Sequence, residues 1–242
     1  MIRRLLVLAL LLLLLLLAAP AWAAIAYDTI TNPTPGTGNL SWTHAGSASA
    51  TGALVFVTQY GTNADQVSGV TYGGTSMSEV TGSPVCDSTE PACVHGFYLV
   101  TSLPAGSQTV AVTVSGADSK SAVAITVTAN GDTALVNQVA TNADNSTGPS
   151  SSLALSSTTS FVALGWMSGN LAVTTVSPLG SWTSSYEFDH GSGTGGAYKY
   201  DVIASTDVTC GWTQNTDDAM MICVALKQAV PDSASRRVIV VN

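Results

Sequence analysis

The sequence predicts an all-β protein built as a two-sheet antiparallel β-sandwich. Three observations lead to this prediction. Apolar and polar residues alternate with a period of two along most of the chain, as they do in half-buried strands. Turn-forming Gly, Pro, Asn, Asp and Ser separate these segments at intervals of about ten residues, the spacing of sandwiches and barrels. In addition, the chain has no helix N-cap that is followed by a long stretch of helical periodicity.

Residues 1–23 have the pattern of a secretory signal peptide. A basic start, Met1–Arg4, precedes the apolar run Leu5–Leu17, and the sequence A-W-A then offers a cleavage site after Ala23, with cleavage after Ala26 as the less favoured position. The alternative is an uncleaved anchor, because Leu5–Ala26 is long enough to span a bilayer as a helix. Cleavage is favoured by the proline and the small residues that follow the apolar run.

The charge of the chain excludes nucleic acid as a partner. Residues 1–23 hold two of the seven basic residues and none of the fifteen acidic ones, so the remainder carries five positive and fifteen negative charges, a net charge of −10. Phosphate binding requires clusters of Lys and Arg, which this sequence lacks. Only 9% of the residues are charged, and small polar residues replace them. We expect a secreted or cell-surface protein, with the periplasm as the alternative.

Four cysteines in an exported chain predict two disulfides. Cys86 and Cys93 enclose a turn-rich loop, and Cys210 and Cys223 flank the polar segment TQNTDD. A hairpin turning at 215–218 would place the second pair directly opposite each other, and with them Trp212 opposite Met221. Four free buried thiols are the alternative, whereas a zinc site would require shorter spacings between cysteines.

Individual strands follow from the same periodicity. Alternation predicts strands at 109–115 and 121–129, and the continuously apolar runs 53–60 and 161–167 predict strands buried on both faces. Further strands are expected at 40–44, 66–72, 75–81, 95–102, 134–140, 152–156, 171–176, 181–188, 196–204, 207–213 and 219–227.

Two glycine-rich segments require interpretation, because glycine loops also bind phosphates. Gly73-Gly74 lies between two alternating runs, which is typical of a two-residue hairpin whose turn positions both need φ > 0. The segment from Gly191 to Gly196 matches the dinucleotide pattern G-x-G-x-x-G, yet it leads into the alternating AYKYDVIAS rather than into a helix. We therefore predict turns and no cofactor.

Several segments resemble a widespread group of jelly-roll-like β-sandwich domains in exported bacterial and phage or metagenomic structural proteins. The matching marks are the hairpin VTYGGTSM, the segment GFYLVTSLPAGSQTVAVTVSG and the closing strand MICVALK. The resemblance extends over residues 25–228 and implies one jelly-roll-like domain at 24–228. It implies no catalytic residues, and it suggests an accessory, adhesive or virion-surface role.

The sequence offers little that points to catalysis. His44, His95 and His190 lie in separate segments without metal-ligand spacing. Asp189-His190 would need a serine to form a triad, and the chain has no G-x-S-x-G elbow, so polar loop residues are the preferred interpretation. The acidic residues stand mostly in turn contexts. We expect a protein that is not an enzyme and that carries neither a cofactor nor a metal.

One tetrapeptide occurs twice, as Thr62–Asp65 and as Thr141–Asp144. Loops rich in Asn and Asp bind Ca²⁺ in some proteins, but neither copy has the ordered spacing of a calcium loop, and turn formation is preferred. The flanking residues do not repeat, so the sequence does not support an internal duplication.

Two function classes follow. The first is a non-catalytic structural or adhesive protein at a cell or virion surface, with neighbouring subunits as partners. The second is a module that binds extracellular glycans through aromatic residues around the glycine-rich loop, for which the candidates are Trp182, Tyr186, Tyr198 and Tyr200. Trp42, Trp166 and Trp212 lie in apolar strands and are expected in the core.

The chain ends in a polar linker and a short β-prone tail. Residues 229–235 follow the last strand as a linker, and Arg236-Arg237 precede the apolar run Val238–Val241. This run is too short to span a membrane. Residues 229–242 are expected either to fray, as termini commonly do, or to add a strand to a free sheet edge.

Overall fold

The computed structural model describes residues 25–62, 64–155, 159–169, 177–178, 183–189, 194–203 and 207–229, with the strands between 177 and 203 given mainly by their backbone. Every regular element in this part of the chain is a β-strand, and all strand pairs are antiparallel. The predicted all-β antiparallel fold is thereby confirmed. The predicted signal peptide (1–23), the strand predicted at 171–176 and the tail beyond residue 229 lie outside the described residues.

The first ten strands form one unit, which we call unit 1. They are β1 Ala26–Thr31, β2 Leu40–His44, β3 Ala50–Tyr60, β4 Val67–Tyr72, β5 Thr75–Ser76, β6 Ser78–Glu79, β7 Val85–Cys86, β8 Ala92–Leu99, β9 Gln108–Val114 and β10 Ser119–Thr128.

The remaining eight strands form unit 2. They are β11 Thr133–Ser146, β12 Ser150–Ala154, β13 Ser160–Ser168, β14 Ser177–Pro178, β15 Thr183–Asp189, β16 Thr194–Ile203, β17 Asp207–Thr213 and β18 Asp217–Gln228.

The strands form four sheets, two in each unit. In unit 1, sheet 1 has the order β2-β9-β4-β5, and sheet 2 has the order β1-β10-β3-β8-β6 with β7 also paired to β8. In unit 2, sheet 3 has the order β11-β18-β13-β16-β15, and sheet 4 has the order β12-β17-β14. Within each unit the chain alternates between the two facing sheets, as in a jelly roll.

The strand order of unit 1 is repeated in unit 2. Sheets 2 and 3 have the same order when β1, β10, β3, β8 and β6 are matched with β11, β18, β13, β16 and β15, and sheets 1 and 4 match in the same way. The sequence predicts one sandwich over residues 24–228 and does not indicate a duplication. The two units share a strand order but not a readable sequence, because a strand order requires only the spacing of apolar segments and turns.

The four sheets stack in the order 1-2-3-4 with an apolar cluster between each pair. Sheets 1 and 2 enclose one cluster, sheets 3 and 4 another, and the middle cluster lies between sheets 2 and 3. The inner sheets are therefore covered on both faces, and this explains the continuously apolar runs in β3 and β13, which are buried along almost their whole length. The outer strand β9 alternates instead, with Val110 and Val112 buried.

The Gly73-Gly74 turn has the predicted form. It joins β4 to β5, and both glycines have positive φ, +56° and +79°, as a type I′ hairpin turn requires.

Both predicted disulfides are present, but they connect different kinds of neighbour. Cys86 and Cys93 are register partners in the adjacent strands β7 and β8. Cys210 lies on β17 in sheet 4 and Cys223 on β18 in sheet 3, so this bond joins two facing sheets. The predicted hairpin between these strands is wrong, because β18 already pairs with β11 on one edge and with β13 on the other.

The predicted core tryptophans occupy or approach the core. Trp166 and Trp212 are fully buried between sheets 3 and 4, with ring centroids 5.5 Å apart. Trp42 is half-buried against the cluster between sheets 1 and 2, and its Nε1 donates a hydrogen bond to Thr31 Oγ1 over 2.9 Å.

The two units lie in close contact at Gly165. A Cβ added to this residue of β13 would lie 2.2 Å from Cδ1 of Phe56 on β3. The ring of Phe56 therefore occupies the space that a side chain would need, and this lets sheets 2 and 3 come together in the middle cluster.

We predict that Gly165→Ala destabilises the protein by about 1–3 kcal/mol, because the added methyl group overpacks the middle cluster. Gly69→Ala is the matched control, since a Cβ there meets no atom within 4 Å. Urea unfolding of both variants measures the difference. Equal midpoints for the two variants would show that the sheets are not in close contact at Gly165.

Candidate functional site

Five carboxylates meet where unit 1 contacts unit 2, and we call them the junction cluster: Asp87, Glu90, Asp144, Asp217 and Asp218. They come from the disulfide loop of unit 1 and from β11 and β18 of unit 2. Carboxylate oxygens of Asp87, Asp144 and Asp218 lie within 4.8 Å of one another, and those of Glu90, Asp217 and Asp218 do likewise.

Asp87 is the most strongly hydrogen-bonded member of the cluster. Its Oδ1 accepts hydrogen bonds from the amides of Thr89 and Glu90 over 2.7 and 2.8 Å, and its Oδ2 accepts one from Asn142 Nδ2 over 2.8 Å. Burial opposes ionisation, but these donors outweigh it and lower the pKa of Asp87 to about 2. The charge of Asp87 thus holds the disulfide loop in its turn and ties it to β11.

Asp218 connects the same loop to β18. Its Oδ1 accepts the amide of Asn145 over 2.8 Å, and the hydroxyl of Thr89 lies 2.8 Å from its Oδ2 and 2.7 Å from Oδ1 of Asp87. A hydroxyl has one proton to donate, so two carboxylates share it. The charge of Asp87 is the main cause that raises the pKa of Asp144, and burial is the main cause that raises the pKa of Asp217.

The cluster presents only oxygen atoms, the donor type that hard cations such as Ca²⁺ take. One of its members, Asp144, is the last residue of the second copy of the repeated tetrapeptide, Thr141–Asp144, which lies within β11. The first copy behaves differently. Asp65 Oδ1 accepts the amide of Val67 over 2.8 Å, which is the predicted turn-forming role. The two copies therefore occupy non-equivalent places in the two units.

A second set of hydrogen-bonded polar side chains is centred on His44 and connects β1, β2 and β10. His44 is fully buried; its Nδ1 lies 2.6 Å from Thr31 Oγ1, and its Nε2 lies 3.0 Å from Thr126 Oγ1. Thr126 donates its proton to Asp28 Oδ2 over 2.8 Å, so the proton between His44 and Thr126 belongs to Nε2. Thr31 accepts from Trp42 and donates to Nδ1, and the neutral imidazole is fully satisfied.

Lys120 is buried at one end of unit 1, where three oxygen atoms accept hydrogen bonds from its ammonium group. Its Nζ donates to Gln66 Oε1 over 2.9 Å and to the carbonyls of Asp118 and Gly116 over 2.9 and 3.2 Å. Three donors on Nζ meet three acceptors, and the side chain fixes the loops around it.

The residues predicted to bind glycans fall in the part of unit 2 that is described by its backbone. Tyr186 lies on β15, and Tyr198 and Tyr200 lie on the adjacent β16. Tyr186 pairs with Ala197, and Tyr198 and Tyr200 are the register partners of Leu164 and Val162. Trp182 lies outside the described residues. The topology thus brings three of the four residues onto neighbouring strands.

The histidines do not come together. His44 and His95 are buried on β2 and β8 of unit 1, rather than in polar loops. Asp189 ends β15, and His190 lies outside the described residues, so the hypothesis of a triad at Asp189-His190 remains untested. The described part of the chain contains no helix that is long and apolar enough to cross a membrane.

No protein-family model matches the chain, and no curated protein matches it. Among solved structures, the ANX2 ectodomain from Arabidopsis thaliana aligns with 88% of this chain and 90% of its own, at 8% identity and a TM-score of 0.28. The ANXUR1 extracellular domain from Arabidopsis thaliana aligns over the same shares at 9% identity, also with a TM-score of 0.28. At this level of similarity the neighbours carry no argument about fold or function.

The junction cluster was not predicted from the sequence. Its acidic residues can be seen there, but they are far apart along the chain. The acidic residues of the motif TDD, at 216–218, and those of the second tetrapeptide were interpreted as separate turns. They lie on β18 and β11, which pair with each other, with Ala143 opposite Ala219. The loop that carries Asp87 is brought to them only by the contact between the units.

We predict that stability falls as the pH decreases from about 6.5 to 4 because of His44. Burial lowers the pKa of His44 to about 4, against the opposing effect of Asp28. The unfolded state therefore binds a proton that the folded state does not, and at pH 5 the loss is about 2 kcal/mol at most. In His44→Gln this part of the decrease should vanish. Urea midpoints at pH 7.5 and pH 5 test it, and parallel curves for the two proteins would contradict it.

We further predict that Asp144→Asn raises the Tm slightly in EDTA at neutral pH. The exposed Asp144 faces the negative charges of Asp87 and Asp218, and the amide removes this repulsion. Asp132→Asn, at an exposed position in the linker between the units, is the matched control. Differential scanning calorimetry measures both, and a lower Tm for Asp144→Asn would mean that its charge stabilises the junction cluster.

Proposed function

We propose that this protein is an exported, non-catalytic structural or adhesive protein of a cell or virion surface. Two observations support the location. The chain begins with a signal-peptide pattern, and its four cysteines form two disulfides, which persist in oxidising compartments outside the cytoplasm.

The observation that carries the structural role is the middle cluster shared by units 1 and 2. Seven of its buried residues come from unit 2, among them Phe161, Met220 and Ile222. Exposing the six large ones would cost about 9–18 kcal/mol at 1.5–3 kcal/mol each, as much as the whole stability of a typical domain. The two jelly rolls therefore form one block, which suits a load-bearing or presenting role better than a hinge around a substrate.

The buried polar groups support the non-catalytic part of the proposal. Lys120, His44 and Asp87 are each held by hydrogen bonds that fix loops or connect strands. Catalytic acids and bases instead lie in a cleft that admits substrate, with their reactive atoms free to contact it. The resemblance to jelly-roll-like domains of exported bacterial and phage structural proteins points in the same direction.

The second candidate function is glycan binding. It rests on Tyr198 and Tyr200, which occupy alternate positions of β16 and therefore one face of that strand, because aromatic rings that share a face can stack on sugars. The two candidate functions predict different effects of an added soluble sugar on the attachment of the protein to a surface. A glycan module releases its surface when a competing sugar is added, whereas a structural or protein-binding surface does not.

We predict that cells displaying the full chain attach to one another or to protein-coated surfaces, and that added oligosaccharides leave this attachment unchanged. Cells carrying the empty display scaffold are the control. Attachment that a sugar inhibits, and that Tyr198→Ala or Tyr200→Ala weakens tenfold or more, would replace the structural proposal with the glycan-binding one. Absence of attachment to any surface would contradict both.

A further inference from the structure

Lys120, near the start of β10, carries a fully buried amine that touches the side-chain carboxamide of Gln66. Its Nζ lies 2.9 Å from Oε1 of Gln66, and its other two acceptors, over 2.9 and 3.2 Å, are the backbone carbonyls of Asp118 and Gly116. All three acceptors are neutral oxygen atoms. Burial lowers the pKa of Lys120, against the opposing charge of Asp118, so its nucleophilic amine form is reached more readily than that of a surface lysine.

The carboxamide of Gln66 lies between this amine and a carboxylate. Its Nε2 donates a hydrogen bond to Asp118 Oδ2 over 2.7 Å, while its Oε1 faces Nζ of Lys120. The two contacts agree on which end of the carboxamide is the oxygen, because an ammonium only donates and a carboxylate only accepts. A C=O bond measures about 1.23 Å, so the 2.9 Å contact leaves Nζ at most about 4.1 Å from the carbonyl carbon Cδ.

The surrounding backbone holds these groups in place. A Cβ added to Gly116 would overlap Cδ and Oε1 of Gln66, so the carboxamide lies directly on the backbone of Gly116. Gly61 receives Asp118 in a similar way, since a Cβ there would lie 2.7 Å from its Cγ. The amide of Ser115 donates to the backbone carbonyl of Gln66 over 2.8 Å. Fixed positions of this kind allow slow bond-forming reactions to proceed.

We propose that Lys120 and Gln66 become joined by an intramolecular isopeptide bond. Nζ attacks Cδ, so that the Nζ–Cδ bond forms and the Cδ–Nε2 bond breaks. The first proton that Nζ sheds passes through the carboxyl of Asp118 to Nε2, which leaves as ammonia. The second proton leaves with the ammonia as ammonium. One lysine ammonium and one primary carboxamide thus give one secondary amide and one ammonium ion, with no oxidant, reductant or co-reactant.

The bond would join the two sheets of unit 1. Lys120 lies on β10 in sheet 2, and Gln66 directly precedes β4 in sheet 1. In unit 2 the strand that matches β10 is β18, whose Cys223 forms the disulfide between sheets 3 and 4. Each unit would then have one covalent bond between its two sheets. The proposal does not rest on the surface role given above. Its alternative is an ammonium that three carbonyl oxygens hold by hydrogen bonds alone.

The experiment measures the mass of the purified, exported full chain after denaturation and reduction of its disulfides. We expect a mass about 17 Da below that of its sequence, because the lysine amine displaces one molecule of ammonia. Trypsin should then fail to cut after Lys120, and the chymotryptic peptides that contain Gln66 and Lys120 should be recovered as one linked pair. The full sequence mass together with cleavage after Lys120 would overturn the proposal in favour of the hydrogen-bonded ammonium.

Variants assign the bond to these residues. Lys120→Arg keeps the positive charge without a reactive amine, and Gln66→Glu has no ammonia to release, so both should have their full mass. Asp118→Asn should lower the linked fraction tenfold or more. Lys227→Arg, on β18, is the matched control and should show the wild-type loss. A loss that persists in Lys120→Arg or Gln66→Glu would place the reaction elsewhere and overturn the proposal. The linked peptides of the wild type decide the outcome even where a variant fails to fold.

Discussion

The packing of sheet 2 against sheet 3 is the constraint on which the rest of the structure depends. Each inner sheet has two covered faces, so its central strands β3, β10, β13 and β18 must be apolar on both sides. At Gly165 the approach is so close that the ring of Phe56 takes the place of a side chain. Hydrophobic burial is non-directional and does not by itself fix how two sheets are placed. A steric fit such as that of Phe56 against Gly165 fixes the placement of sheet 2 on sheet 3.

This constraint also decides where polar chemistry can occur. Charged side chains cannot enter the middle cluster unpaired, so they collect where sheets end or where loops meet. Lys120 lies at one end of unit 1, where Gln66 and two backbone carbonyls receive its charge. The junction cluster lies where the disulfide loop of unit 1 meets β11 and β18. Nδ1 of His95 on β8 lies 3.8 Å from a carboxylate oxygen of Glu79 and 3.9 Å from one of Asp65.

Sequence periodicity was sufficient for most of the strands, but the strand predicted at 75–81 consists of two short strands, β5 and β6, in different sheets. The ends of β2 and β17 agree with the predicted 40–44 and 207–213, and the turn at Gly73-Gly74 and the Cys86–Cys93 pair were predicted from composition and spacing. The Cys210–Cys223 pair was predicted from a hairpin that does not form. Periodicity carries no information about which sheets face each other, so it could not predict the repeated strand order or the cross-sheet position of Cys210–Cys223. Asp87 and His95 were missed for a related reason, because their partners are brought to them by tertiary contacts.

The two disulfides give the units different responses to a pulling force along the chain. In unit 2 the bond between Cys210 and Cys223 fastens sheet 4 to sheet 3, so these sheets cannot be peeled apart and residues 211–222 add no length when the unit is stretched. In unit 1 the bond between Cys86 and Cys93 staples two strands of the same sheet, and no described disulfide joins sheet 1 to sheet 2. Unit 2 therefore retains a closed covalent loop when its sheets separate, whereas sheets 1 and 2 have no such disulfide among the described residues.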